Sequence, residues 1–207
     1  MPDWNHIFTE QGKIFVKPYS DMEQLAKLFK EQRIQKILDL GCGTGRHLIF
    51  FSEKGFELYG IDASAKALEI TNKWLKEKGL YAELKNHRME HRFPYDDDIF
   101  DAIISIQVMH HNLMRNIVFT IKEIERILKG KGIIFIIVAI LKGRAKSKRL
   151  DLKEIEKNTY IPQKGAEKGL LHHYFTLDEI YEVFSSFDLQ ELYIDSTGHR
   201  VIFGQKL

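Results

Sequence analysis

An α/β architecture on a mostly parallel sheet is what this sequence predicts, and three observations predict it. Short β-branched runs alternate with longer segments of helical period. A glycine cluster, Gly41-Cys42-Gly43-Thr44-Gly45, sits between a strand-like and a helix-like segment. A continuous apolar run, Ile133-Ile134-Phe135-Ile136-Ile137-Val138-Ala139-Ile140-Leu141, suits a strand covered on both faces.

Taken in order, Ser20 and Glu23 have the spacing of a capping box ahead of Leu25, Leu28 and Phe29, which predicts a helix to about Gln32. Lys36 to Leu40 reads as a buried strand feeding the glycine loop. A helix follows from roughly Gly45 to Lys54, then a second strand, Glu57 to Ile61, ending at Asp62. Ser64 is the expected N-cap of a helix carrying Ala67, Leu68, Ile70, Trp74 and Leu75 and stopping at Gly79. Tyr81 to Lys85 is a weaker third strand and Phe100 to Ile106 a clear fourth. Ile117, Ile121, Ile124, Ile127 and Leu128 share one helical face that ends at Lys129-Gly130, and the run from Ile133 is the fifth strand. Period is lost over 142–171, which reads as an insertion or lid. Thr176 with Glu179 forms a second capping box, for a helix through Phe184. Leu189 to Ile194 and Arg200 to Phe203 flank the turn Ser196-Thr197-Gly198 as a closing hairpin.

A chain of 207 residues fits one domain and buries a core without disulfides or metals. The expected organisation is a cover and helix over 1–35, a cofactor-binding core over 36–141, a lid over 142–175, and a helix with hairpin over 176–207. Lys and Arg number 31 against 29 Asp and Glu, which argues against a protein that coats nucleic acid throughout its surface. The one cysteine, Cys42, excludes an internal disulfide framework and clusters held by several thiolates. Met1-Pro2-Asp3-Trp4-Asn5-His6 has no basic region leading into an apolar one, and the apolar run from Ile133 is too short to span a bilayer as a helix. The expectation is a cytoplasmic enzyme or binding protein with no membrane partner.

A strand, a Gly-x-Gly-x-Gly loop and a helix form a cofactor-binding arrangement, because glycines let backbone approach a ligand and the helix start offers amides. Asp62 stands at the end of the next strand, near the ~20-residue spacing of a carboxylate that binds ribose hydroxyls. The weaker reading is a strand-end acid capping the Ser64 helix. Arg46 replaces the third glycine of the dehydrogenase fingerprint.

Ile37-Leu38-Asp39-Leu40-Gly41-Cys42-Gly43-Thr44-Gly45 resembles the first motif of class I S-adenosylmethionine-dependent methyltransferases, and Gly60-Ile61-Asp62-Ala63-Ser64 their second. Phe93-Pro94-Tyr95 with Phe100 to Ser105 is similar to the approach to their fourth strand, and Ile127 to Gly132 to the lead into their fifth. The resemblance covers about Lys36 to Leu141. It implies a Rossmann-like three-layer sandwich with a seven-stranded, mostly parallel sheet and an antiparallel last strand. It also implies that Gly41, Cys42, Gly43 and Gly45 pass under S-adenosylmethionine, that Asp39 orients the loop or meets the ammonium, and that Asp62 holds the ribose. Ala63 would flank the adenine and Gln107 would lie beside the methionine moiety. Where many relatives carry an aspartate for the adenine, this chain has His87-Arg88-Met89-Glu90, so Met89 or Glu90 is expected there. Cys42 as a nucleophile is the weaker reading beside simple packing of a small side chain in the loop.

Methyl transfer from a sulfonium needs alignment and, for some acceptors, removal of a proton. His110 and His111, just beyond the fourth strand, lie where the ligand crevice of an open α/β sheet falls, and each reads either as a proton acceptor or as a helix-start histidine. Leu171-His172-His173-Tyr174-Phe175 resembles an element near the end of small-molecule methyltransferases of the tellurite-resistance type, which implies His173 and Tyr174 at the active site. Adjacent histidines on a strand point to opposite faces, so no metal site is expected. Trp4, Phe8, Phe15 and Tyr19 form either a cover over the cofactor or packing against the sheet edge. Lys142-Gly143-Arg144-Ala145-Lys146-Ser147-Lys148-Arg149 is the argument for an RNA acceptor, but no aromatic is interleaved for base stacking. A small-molecule acceptor is the main expectation. The alternatives are an RNA acceptor and a cofactor-binding protein without chemistry.

Overall fold

Residues 4–140, 151–165 and 167–207 are described by the structure, a computed structural model. The elements run α1 (Trp4–Gln11), α2 (Met22–Glu31), β1 (Lys36–Leu40), α3 (Arg46–Ser52), β2 (Glu57–Asp62), α4 (Ala65–Glu77), β3 (Glu83–Asn86) and β4 (Phe100–Ile106). They continue as α5 (Met114–Ile127), β5 (Leu128–Val138), β6 (Leu152–Glu156), β7 (Thr159–Pro162), β8 (His172–His173), α6 (Leu177–Val183), β9 (Phe187–Ile194) and β10 (Arg200–Lys206).

β1 shows how the layers arise. Strand side chains alternate faces, so Ile37 enters the core beneath α2, α3 and α4, while Leu38 and Leu40 enter the core beneath α5 and α6. All three are fully buried, and each such side chain contributes about 1.5–3 kcal/mol. Asp39, by the same alternation, is carried into the first layer, which matters below. The result is a seven-stranded sheet of order β3-β2-β1-β4-β5-β10-β9 between two helical layers. β1 to β5 are mutually parallel, and β10 is antiparallel to both β5 and β9.

The chain leaves β1 toward β2 and β3, then returns to the other side of β1 for β4 and β5. That reversal opens a crevice beyond the carboxyl ends of β1 and β4. The loop after β1 and the turn after β4 therefore face each other across it.

Three local expectations are corrected. Ser20 does not cap α2: its hydroxyl donates to Asp21 Oδ1 at 2.8 Å, and the helix begins two residues later, at Met22. Glu23 instead pairs with Lys54 at 2.9 Å. Leu128 ends no helix; its backbone is extended (φ −84°, ψ 132°) and it pairs with Phe100, so the fifth strand starts five residues before Ile133. Its spacing from Ile124 fits a helix, yet its burial is satisfied equally by the sheet. Finally, the aperiodic stretch contains β6 and β7, which form a separate antiparallel sheet with β8 just beyond its end. Its strands have five, four and two residues, too short to impose a readable alternation. The basic segment 142–149 lies outside the described residues. No helix among those described is long and apolar enough to cross a membrane.

Candidate active site

The glycine loop is held by its own backbone and by two neighbouring elements. The amides of Gly41 and Cys42 both donate to the Ile61 carbonyl, at 2.8 and 3.0 Å. Gly41 and Gly45 have φ of +77° and +87°, and a Cβ at either would lie 2.3 Å from Val108 or 2.6 Å from Thr71. Only glycine fits both demands. Asp62 braces the loop from β2: Oδ2 accepts from the Gly43 amide and Oδ1 from the Ser64 amide, both at 2.8 Å. Ser64 itself caps α4 by accepting from the Ala67 amide at 3.0 Å. Thr71, on α4, donates to the Gly43 carbonyl at 2.9 Å.

Asp39 is 1% exposed, and its Oδ2 has no hydrogen-bond partner. Burial pushes its pKa up to about 7, with Arg46 opposing and Asp62 adding to the rise. His47 Nδ1 approaches Oδ2 to 3.8 Å. That pair is no ion pair, because burial and then Arg46 hold the His47 imidazole well below its ordinary value and therefore neutral. Asp62 is raised by burial against the two amides it accepts. Burial also raises the Cys42 thiol, which packs in the core beside Gly60 and is held in its unreactive form.

Two of the early aromatics reach the crevice, one from each side. Phe8, on α1, lies 3.6 Å from where a Gly43 Cβ would stand, and Trp4 packs edge-on against His111 with ring centroids 5.1 Å apart. Asn5 ties this helix down, its Oδ1 accepting from the Ser64 hydroxyl at 2.9 Å and from the Lys66 amide at 3.0 Å. Phe15 is exposed and stacks under Arg46, while Tyr19 packs by Phe135 at the sheet.

Across the crevice, β4 is followed by Gln107, whose φ of +61° turns the chain. Its amide donates to the Ile137 carbonyl at 2.9 Å, and its side-chain Nε2 lies 3.3 Å from His199 Nδ1. His110 and His111 follow in the turn before α5. The turn, unlike a strand, directs both rings the same way, so both converge on His172, with centroids 5.9 and 4.5 Å from it. Of the pair in β8, strand alternation sends His172 to this cluster and His173 away from it. The His173 side chain bonds Thr159 Oγ1 at 2.8 Å and faces Glu179 at 3.6 Å; only its backbone amide meets the cluster, donating to the His110 carbonyl at 2.7 Å. Tyr174 is buried and lies 6.2 Å from the His172 ring. His172 and Glu167 are thus the members that sequence reasoning missed. The alternation within His172-His173 was the available signal, without a marker of which face mattered.

Burial first, then His111, His172 and His199, holds His110 well below its ordinary value. Burial, then His172, pushes His111 down to about 4, against Glu167 and the Leu171 carbonyl. Both rings are neutral near pH 7. Of the other expected positions, Ala63 is exposed beside Asp62. Met89 packs on the second core and gives its carbonyl to Thr120 at 2.9 Å, and Glu90 pairs with Arg88 at 2.6 Å. A surface depression of about 490 Å³, lined by Lys36, Tyr59, Lys85 and Tyr95 among others, lies away from the loop and gathers none of these groups.

The fold and its braced glycine loop define an α/β protein with a cofactor cradle at the sheet's switch point. Residues 37–132 match the family described as a methyltransferase domain, and over that segment the chain is similar to class I S-adenosylmethionine-dependent methyltransferases. It is 35% identical over 101 residues to the ubiquinone biosynthesis O-methyltransferase of Pelagibacter ubique, covering 49% of this chain and 40% of that protein. The chain spans less than half the length of the curated relatives it matches first. Among solved structures, a SAM-dependent methyltransferase of Methanosarcina mazei superposes with a TM-score of 0.76 at 21% identity, covering 92% of this chain and 99% of that one. TehB of Haemophilus influenzae gives 0.70 at 16% identity, covering 99% and 67%. S-adenosylmethionine is the cofactor of this family, and the orphaned, deeply buried Asp39 oxygen beside a glycine backbone fits a ligand that carries an ammonium.

Proposed function

We propose that this chain is an enzyme that methylates a small molecule held in the crevice between the glycine loop and the His110–His111–His172 cluster. The observation that carries this reading is the opposition of two unlike surfaces across one switch point. One is a glycine backbone with buried carboxylates; the other is a set of three converging imidazoles, two of them buried.

On this reading Asp39 accepts the cofactor's ammonium, Asp62 its ribose hydroxyls through lone pairs left over from the two amides, and Gly41, Gly43 and Gly45 its close approach. Ala63 and Met89 lie toward the adenine, with Glu90 at its edge. Gln107 lies toward the methionine end. The bound cofactor supplies a methyl group already activated as a sulfonium. His111 Nδ1 donates to the Leu171 carbonyl at 2.9 Å, which leaves Nε2 as an acceptor for the acceptor molecule's hydroxyl, amine or thiol proton. A ring with a pKa of about 4 is a weak base, so its role is chiefly to orient that proton. Trp4 and Phe8 shield the crevice from water. The names of relatives such as the ubiquinone biosynthesis O-methyltransferase support a small organic acceptor.

The test is calorimetric titration with S-adenosylmethionine, followed by measurement of S-adenosylhomocysteine formed with metabolite fractions and with RNA. Binding with turnover on a low-molecular-weight fraction is expected. No binding, or turnover on RNA alone, would sink the proposal.

A further inference from the structure

We propose that His110, His111 and His172, with Glu167 beside them, bind a divalent transition-metal ion of the zinc type. Their ligand atoms all lie within 4.8 Å of one another. His110 and His172 are 3% and 5% exposed, and no hydrogen bond joins any of the three rings to another. Ordinary buried histidines are satisfied singly, whereas here three face one shared space.

Hydrogen-bond partners assign the tautomers. His111 Nδ1 lies 2.9 Å from the Leu171 carbonyl and His172 Nδ1 3.1 Å from the Leu170 carbonyl. Both Nδ1 atoms must donate, which puts the lone pair of each neutral ring on Nε2. A carbonyl holding Nδ1–H while Nε2 points inward is the outer support that metal-binding histidines have. His172 Nε2 also lies 2.9 Å from Glu167 Oε2. A lone pair and a carboxylate at that distance repel unless a cation joins them. A metal ion held between them removes that repulsion. His110 is the third ligand. Its Nδ1 accepts the Ala139 amide at 3.3 Å, a long contact that is surrendered when the ring turns to the ion.

Zinc–nitrogen bonds of about 2.0–2.1 Å put tetrahedral ligands about 3.3 Å apart. Rings already within 4.8 Å close on an ion by side-chain rotation. Glu167 then either completes the shell or yields its place to an oxygen or sulfur of the acceptor. With the ion bound, the His111 Nε2 lone pair is on the metal, so the acceptor meets the ion in place of that ring; this last point rests on the proposed function, and metal binding itself does not.

The experiment uses the tag-free full chain, stripped by chelator and titrated with Co²⁺ by visible absorption and with Zn²⁺ against a chromophoric chelator. Affinity for S-adenosylmethionine is measured on the same samples, so failure of the cofactor reading shows separately. One ion per chain is expected, with His111→Ala and His172→Ala more than ~100-fold weaker and His110→Ala and Glu167→Gln about tenfold or more. His91→Ala, at the exposed surface, is expected to be unchanged. Glu167→Gln and the wild-type cobalt spectrum decide the matter if a buried variant misfolds. Wild-type affinity no tighter than that of the folded variants, or no low-coordinate cobalt absorption, overturns the proposal.

Discussion

Around Gly41 to Gly45 the site is made from one contiguous stretch, β1 to the start of α4, joined by main-chain hydrogen bonds and the Asp62 brace. Around His110 it is assembled from the turn after β4, the segment ending in β8, and His199 before β10. The first surface is local and mostly backbone; the second is non-local and made of side chains. A local surface imposes residue types on neighbouring positions, above all glycines at positive φ. A non-local one only asks that distant side chains meet.

The largest expected effect strikes the local half. Gly41→Val adds a β-branched residue at φ +77° with its Cβ 2.3 Å from Val108. Strain and overpacking together cost about 2–6 kcal/mol, read as a lowered thermal midpoint with loss of S-adenosylmethionine binding. A stable variant that binds normally would break the claim that backbone makes this half. Asp62→Ala removes the brace and the proposed ribose contact, and is expected to weaken cofactor binding by ~1–3 kcal/mol in calorimetry; unchanged affinity in a folded variant rejects that role.

Asp39→Asn sharpens the contrast between binding and stability. The folded-state pKa is about 7 against an ordinary 3.8, so the folded chain holds the proton more tightly and wild-type stability falls as pH rises between those values. The amide variant is therefore expected to gain ~1–3 kcal/mol relative to wild type above about pH 7 and nothing below about pH 4, while binding the cofactor less well. Denaturant unfolding at both pH values checks it.

In the non-local half, His111→Gln should leave S-adenosylmethionine affinity unchanged and lower turnover. The sign of its pH effect is opposite. With a folded pKa of about 4 against 6.5, the unfolded chain binds the proton more tightly, so wild-type stability is lost as pH falls through that window. In metal-free protein the glutamine variant should lose about 1–2 kcal/mol less on acidification. Equal acid sensitivity would show that His111 is not the buried neutral ring described.

The same contrast explains what was legible in the sequence. The order of β1 to β5, the Ser64 and Thr176 caps and the closing hairpin are written in short-range spacing, and each appears as expected. Asp39 and Asp62 stand in a motif with local geometry, which is why the sequence marks both. The small sheet was hidden because strands of two to five residues carry no period. His172 was passed over for His173 because the choice depends on which face of β8 meets a turn some sixty residues earlier, and nothing adjacent in the chain records it.

The small sheet of β6, β7 and β8 is tied to its neighbours by the His173 amide on the His110 carbonyl, by the Met114 amide on Glu156 Oε1 at 2.7 Å, and by Glu179 of α6, whose Oε1 accepts from Asn158 Nδ2 at 2.9 Å and whose Oε2 faces His173. None of these involves the loop from Gly41 to Gly45. The segment behaves as an interchangeable fitting on a fixed socket. Exchanging it for a foreign segment that kept those ties is expected to leave the glycine loop as it is, so change at this end carries little penalty at the other.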